Sequence, residues 1–178
     1  YKKFILVIIM KFIFKISTII IFLIICSCNV KYSLTGASIS AETKTFQVNY
    51  FQNNSTLIEP GIDRDFTNKL IDLLINQTSL DLVKSNGDLL YEGEIVEYRI
   101  APTTATANNT AAQNRLTVGV NVRFYDKNDP DAEFEKRFSF YYDYPGSSQL
   151  IGSQKDTAID EIFERITQDV FNASLAKW

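Results

Sequence analysis

Apolar and polar residues alternate along four segments of the chain, a pattern that predicts half-buried β-strands. The clearest is Leu116–Phe124, where Leu, Val and Phe at every second position alternate with Thr, Gly, Asn and Arg. In the second segment the alternation changes parity near Ile95–Val96, and a β-bulge there would turn both halves toward the core. The predicted strands are Thr45–Phe51, Leu89–Ile100, Leu116–Phe124 and Glu133–Tyr144.

Apolar residues recur at helical spacing in two further segments. The first follows Pro60-Gly61 and has Asp63 and Asp65 in its first turn, where negative charge suits the helix dipole. The second begins with Ser153 and Asp156 at capping-box spacing. The apolar positions are Ile62, Phe66, Leu70, Leu73 and Leu74 in the first helix, and Ala158, Ile159, Ile162, Phe163, Ile166 and Val170 in the second.

The order of these elements, β-α-β-β-β-α, predicts an α+β fold. We expect a two-layer sandwich in which a four-stranded, mostly antiparallel sheet packs against the two helices. Between the second and third strands, residues 101–115 are almost all small or polar and can bury little apolar surface. We therefore predict a long flexible hairpin loop there.

The first 28 residues differ in composition from the rest, because they hold four lysines, no acidic residue and long apolar runs. Lys11 and Lys15 follow Met10, the expected true start, and precede an apolar run at 16–26. That run is too short to cross a bilayer, which needs roughly 20 apolar residues, so it predicts a secretory signal. The alternative is an uncleaved anchor lengthened by Phe4–Met10, which would place both lysines within the span.

The leader ends in Ile25-Cys26-Ser27-Cys28, which resembles the lipobox of bacterial lipoproteins. A disulfide between the two cysteines is the alternative, but such close spacing rarely closes. We predict a signal peptide at 1–27, a lipidated tether at 28–43 and a folded domain at 44–178. Two or more acyl chains on Cys28 would hold the protein stably on a membrane. Because Asn29 follows the cysteine, we expect attachment to the outer membrane, facing the periplasm.

Charge and residue types narrow the function. Without the leader the chain has 14 basic and 21 acidic residues, and an acidic surface argues against nucleic acid as a partner. The chain contains no histidine, which excludes Ser-His and Cys-His mechanisms. The acidic turn at 126–133 lacks the EF-hand pattern, and we expect Glu92, Glu94 and Glu97 to be exposed positions rather than an acid-base pair. We expect neither an enzyme nor any cofactor beyond the lipid.

Three segments resemble the LptE family of lipopolysaccharide-assembly lipoproteins of the outer membrane. They are Tyr32-Ser33-Leu34-Thr35-Gly36 after the lipid cysteine, Phe46–Asn53 before the first helix, and Leu90–Tyr98 with its glycine and bulged tyrosine. The resemblance implies that the protein plugs the lumen of the β-barrel translocon LptD, helps it assemble and binds lipopolysaccharide in transit. That role is structural rather than catalytic.

Lipopolysaccharide carries phosphates, so its binding would require basic residues on one face of the sheet. The candidates are Arg99, Arg115, Arg123, Lys136 and Arg137. Scattered solvated charges are the alternative interpretation of these residues. Two other functions stay open at this point: a free-standing periplasmic ligand-binding or envelope-stress lipoprotein, and an enzyme that uses only carboxylates.

Overall fold

A computed structural model describes residues 39–105 and 111–176. The predicted signal peptide, Cys28 and most of the predicted tether therefore lie outside the described residues. Within the described ranges the chain forms these strands and α-helices: β1 (Thr45–Val48), β2 (Gln52–Asn53), α1 (Ile62–Gln77), β3 (Asp81–Leu82), β4 (Leu89–Ala105), β5 (Ala111–Asp126), β6 (Phe134–Pro145) and α2 (Gly152–Leu175). Neither helix is long and apolar enough to cross a membrane.

The predicted α+β class with two helices is confirmed, but the prediction of four strands is wrong, because the sheet has six. Its order is β3-β1-β4-β5-β6, with β2 beside β4. The antiparallel meander β4-β5-β6 carries most of the pairing, and β1, β2 and β3 make short parallel pairings. A strand of two residues, such as β2 or β3, is too short to produce a periodic signal in the sequence.

The prediction of a long loop at 101–115 is also wrong. Pairing of β4 with β5 continues from Ala101↔Arg115 to Ala105↔Ala111, so the ten described residues of that segment are all in strands. Backbone hydrogen bonds extend a ladder whose register is already set by buried neighbours, and they need no apolar side chains. The small and polar composition of this segment was therefore no guide to its ten residues of strand.

The predicted β-bulge is confirmed by a register shift between Ile95 and Glu97. Tyr91 and Ile95 before the shift, and Tyr98 after it, are all buried. The extra residue, Val96, restores the parity, so that both halves of β4 present apolar side chains to one core. This core also contains the buried residues of both helices.

Aromatic side chains join the elements at the centre of the core. Phe66 of α1 makes edge-to-face contacts with Phe51 and with Phe163 of α2, with ring centroids 5.0 Å and 5.2 Å apart. The hydroxyl of Tyr91 lies 2.9 Å from that of Ser174. Burial raises the pKa of Tyr91, so this phenol stays neutral and hydrogen-bonded in the core.

The ends of the elements differ in part from the sequence prediction. α1 begins directly after Gly61, as predicted, and that glycine has a positive φ of 90°. α2 begins after Ile151 without a side-chain cap, so the predicted capping box at Ser153 is wrong. Ser153 lies inside the first turn rather than at the cap position. Before β1, the side chain of Thr43 is buried and accepts a hydrogen bond from Asn128 Nδ2 (2.9 Å).

Candidate functional site

The side of β4, β5 and β6 opposite the core forms a polar surface, here called the outer face. Residues directly opposite each other in the register share a face, and the rows include Glu92–Arg123–Glu135, Arg99–Thr117–Tyr141 and Ala101–Arg115–Asp143. Four of the five predicted cations lie on the outer face: Arg99, Arg115, Arg123 and Arg137. Lys136 lies on the other side of the sheet, with its Nζ 5.1 Å from the ring of Phe138.

Arg115 forms the best-defined ion pair of this face. Its Nε and Nη2 donate to the two carboxylate oxygens of Asp143 at 2.7 Å and 2.8 Å, and its guanidinium lies 3.6 Å from the ring centre of Tyr141. The hydrogen bond from Arg115 lowers the pKa of Asp143 below its ordinary value. A two-point contact of this kind fixes the guanidinium in place.

The three glutamates considered as an acid-base group also pair with arginines. Arg123 donates to Glu92 at 3.2 Å and to Glu94 at 3.3 Å, and the hydrogen bond to Glu92 raises the pKa of Arg123. Glu97 accepts from Arg99 at 2.9 Å and also from Arg137. Glu92 and Glu94 therefore share one arginine, Glu97 is shared by two, and all three carboxylates are ion-pair partners. An anion that binds this face must compete with them for the same donors.

A cleft of about 570 Å³ opens at one margin of the outer face, beside the β-bulge. Two candidate cations, Arg99 and Arg137, line it together with the apolar side chains of Leu57 and Ile100, which are 51% and 43% exposed. Burial raises the pKa of Tyr98 in its wall to about 12, so this phenol is neutral at physiological pH. The remaining lining residues are Thr56, Val96 and Glu97.

The cleft combines two guanidinium groups with apolar surface, and the sequence identified only the first part. Leu57 lies in the segment between β2 and α1, which shows no periodic pattern. That segment reaches β4 because Asn54 N donates to the carbonyl of Ile95 (2.8 Å), at the bulge. The position of Leu57 beside the two arginines depends on this long-range contact, which no local pattern in the sequence indicates.

Gly119 of β5 makes room for Arg137 to cross the outer face to Glu97. A Cβ atom at this position would lie 2.9 Å from Arg137 Nη2 and 3.2 Å from Glu97 Cβ.

We expect Gly119→Val to displace the guanidinium from Glu97 and to change stability by less than about 1 kcal/mol, because exposed ion pairs contribute little. Side-chain nitrogen NMR of Arg137 measures the displacement, with Thr117→Val on the same face as the control. An unchanged Arg137 signal in Gly119→Val would contradict the prediction.

In the part of the chain that the structure describes, no group of histidine, cysteine and carboxylate side chains is arranged to hold a metal ion. The described part of the outer face offers guanidinium groups, carboxylates and the amphiphilic cleft.

Comparison with known proteins identifies the family. The family model of the lipopolysaccharide-assembly proteins, LptE, matches residues 43–174. A hypothetical protein from Chlamydia trachomatis has a similar structure, with a TM-score of 0.51, 11% identity, and coverage of 76% of this chain and 99% of that one. At that identity the likeness supports the fold alone. No curated protein sequence matches.

Two further solved structures are more distant. Rare lipoprotein B from Shewanella oneidensis has a TM-score of 0.46 at 10% identity and covers 71% of this chain and 89% of its own. The PelC dodecamer from Paraburkholderia phytofirmans has a TM-score of 0.47 at 10% identity and covers 80% and 94%. The match of the family model extends over most of the chain. The chain therefore belongs to the LptE family of non-enzymatic lipopolysaccharide-assembly lipoproteins.

Proposed function

We propose that this protein is an outer-membrane lipoprotein that assembles with an LptD-type β-barrel, plugs its lumen and assists the delivery of lipopolysaccharide to the cell surface. A covalent lipid on Cys28 would hold it on the periplasmic side of the membrane. Membership of the LptE family supports the general role. The observation that carries the lipid-binding part is the cleft beside the bulge, where Arg99 and Arg137 lie next to Leu57 and Ile100.

The two kinds of side chain in the cleft match the two parts of the ligand. A guanidinium group binds phosphate oxygens through several N–H donors at once. Apolar side chains such as Leu57 and Ile100 are exposed at the cleft and would lose contact with water against an acyl chain. Because Glu97 already binds both arginines, the phosphate would have to replace this carboxylate as their partner.

Charge reversal tests this assignment with two adjacent residues on opposite sides of the sheet. We expect Arg137→Glu to weaken binding of fluorescent lipopolysaccharide by the full-length protein about fivefold or more, the equivalent of roughly 1 kcal/mol. Lys136→Glu makes the same charge change away from the cleft and should leave the affinity within about twofold. Equal losses in the two variants, or no loss in Arg137→Glu, would remove the cleft as the binding site.

The barrel partner is tested by co-purification. Tagged full-length protein, extracted from membranes in mild detergent, should bring down a large β-barrel protein. A Cys28→Ala variant reports separately on the lipid, because it lacks the thiol that would be acylated. If the lipidated protein is recovered without a barrel, the plug role is wrong, and the free-standing lipoprotein considered from the sequence becomes the better account.

A further inference from the structure

β6 is an edge strand with an open outer side. It is the last strand in the sheet order, and none of the described residues pairs with the side facing away from β5. Its register against β5 continues without a bulge from Gln113↔Pro145 to Phe124↔Phe134. A long, regular edge of this kind presents a row of unpaired backbone groups to another strand.

The register identifies which backbone groups face outward. The carbonyl of Tyr91 accepts a hydrogen bond from Asn49 N (2.8 Å), so Tyr91 directs its backbone away from β5. In an antiparallel pair its opposite residue, Phe124, then directs its own backbone toward β6, where it bonds with Phe134. Directions alternate along a strand. The N–H and C=O groups of Glu135, Arg137, Ser139, Tyr141 and Asp143 therefore point to the open side.

The other long strand with an open side carries two features that hinder pairing. Beyond its contact with β2, the margin of β4 has the bulge at Ile95–Glu97 and then Pro102, which lacks an N–H donor. β6 has no bulge, and its only proline is the terminal Pro145. Of these two edges, β6 is the one that can accept a complete strand.

We propose that, in protein that is not assembled with a barrel, a second copy of this chain occupies the edge, with the two β6 strands antiparallel about a two-fold axis at Phe140. Charge favours both the occupant and the register. With Phe140 opposite itself, Arg137 lies opposite Asp143 of the partner subunit, and this contact occurs twice. Each contact would join the ion pairs that Arg137 makes with Glu97, and Asp143 with Arg115, within one chain.

A residue whose backbone groups point outward can pair only with another such residue. In the two neighbouring registers, each residue therefore lies opposite a position two residues further along or back on the partner strand. One of them sets Glu135 opposite Asp143 of the partner subunit, which is repulsive. The other sets Arg137 opposite Pro145 of the partner subunit and loses the ion pair. The register centred on Phe140 is therefore the most favourable of the three.

On the core side of the edge, the same register sets Phe138 opposite Tyr142 of the partner subunit and Lys136 opposite Tyr144 of the partner subunit. Phe138 and Tyr144 are buried within their own chain, so the pairing of the two copies depends on the backbone hydrogen bonds and on the charges of the outer face. Near the axis, Arg165 of α2 lies 5.8 Å from the ring of Phe140, and its pairing with Asp169 (3.5 Å) limits repulsion between the two copies.

Cross-linking between two differently tagged full-length variants tests the register. Ser139 lies opposite Tyr141 of the partner subunit in a hydrogen-bonded pair, whose Cα separation of about 5.5 Å is within the range for a disulfide. A mixture of Ser139→Cys and Tyr141→Cys chains in detergent should form a disulfide-linked heterodimer on mild oxidation, whereas each variant alone should not. Cys26 lies in the predicted leader and Cys28 is the predicted lipid site, so the introduced thiol is the one expected to react.

The control replaces Ser139→Cys with Thr117→Cys, which lies on the same face but on the neighbouring strand, and this mixture should remain unlinked. Linkage of Ser139→Cys with itself, or of Tyr141→Cys with itself, would overturn the charge-selected register. Absence of the heterodimer would overturn the proposal. That result is expected if residues 29–38 or another protein cover the edge.

A proline substitution tests the backbone pairing independently of cysteine chemistry. Ser139→Pro removes an N–H that points outward, so pairing with β5 is retained, while the second β6 strand loses a hydrogen-bond donor. In analytical ultracentrifugation at equal protein concentration, the wild type and Ser139→Ala should be dimeric, and Ser139→Pro should shift to monomer. The alanine variant controls for the hydrogen bond from Ser139 Oγ to the carbonyl of Val118 (3.0 Å). A monomeric wild type, or a Ser139→Pro variant as dimeric as wild type, would contradict the proposal.

Discussion

Replacing Gly93 with alanine is expected to destabilise the protein by about 3 kcal/mol or more, the upper end of the range for overpacked cores. A Cβ atom at this position would lie 2.0 Å from the carbonyl oxygen of Asn121 and 2.7 Å from Phe51 Cε1. The first contact is with the backbone of the neighbouring strand, which cannot move away without breaking the ladder between β4 and β5. Urea denaturation followed by far-UV circular dichroism measures the change.

Gly119→Ala is the matched control for this prediction, because it adds the same methyl group to the adjacent strand on the outer face. There the nearest atoms belong to the long side chain of Arg137, which can swing into solvent. We expect this variant to lose less than about 1 kcal/mol, the range for a surface change that breaks one exposed ion pair. A Gly93→Ala variant within 1 kcal/mol of the wild type would show that the sheet relaxes more readily than the close approach of these strands indicates.

Replacing Phe66 with alanine is expected to cost about 3–5 kcal/mol, the range for truncating a buried phenylalanine. Phe66 is fully buried, and its ring contacts Phe51, just before β2, and Phe163 of α2. Its loss would leave a cavity where α1, α2 and the segment leading into β2 meet. Because that segment leads on to Leu57, the substitution should also disturb the position of Leu57 in the cleft and so weaken lipopolysaccharide binding. Thermal unfolding and lipopolysaccharide binding therefore measure two effects of the same substitution.

Ile75→Ala provides the comparison on the same helix. Ile75 is 48% exposed, and truncation of a surface side chain changes stability by about 0.5 kcal/mol or less. If Phe66→Ala costs less than about 2 kcal/mol, or no more than Ile75→Ala, the aromatic cluster does not hold the two helices to the sheet in the way described.

Elements with a long periodic pattern could be predicted from the sequence. The helix after Gly61, the strand centred on Val120 and the bulge near Ile95 all appear where the pattern placed them. Each is specified by local alternation or helical spacing of many apolar residues, which share one core. By contrast, β2 and β3 consist of two residues each, and their pairing depends on segments distant in sequence.

The predicted cations illustrate the same limit at the candidate site. Strand parity is a local property, so the sequence could indicate which residues share a face. It could not indicate that Glu97 binds Arg99 and Arg137 together, because that contact crosses three strands and needs the space above Gly119. Nor could the sequence indicate that Leu57 lies at the cleft, because the segment that carries Leu57 is held there by a hydrogen bond to the bulge.

The sequence by itself determined the α+β class, the two amphipathic helices, the bulge and the family, because these depend on residue order and local periodicity. It also predicted the lipobox at Cys28, which lies outside the described residues. The tertiary structure alone decided the six-stranded order, the strand pairing within 101–115, the pairing of each outer-face arginine with a carboxylate, the cleft and the open edge of β6. Those features arise from contacts between residues far apart in the chain, and their geometry is set only when the strands are in register.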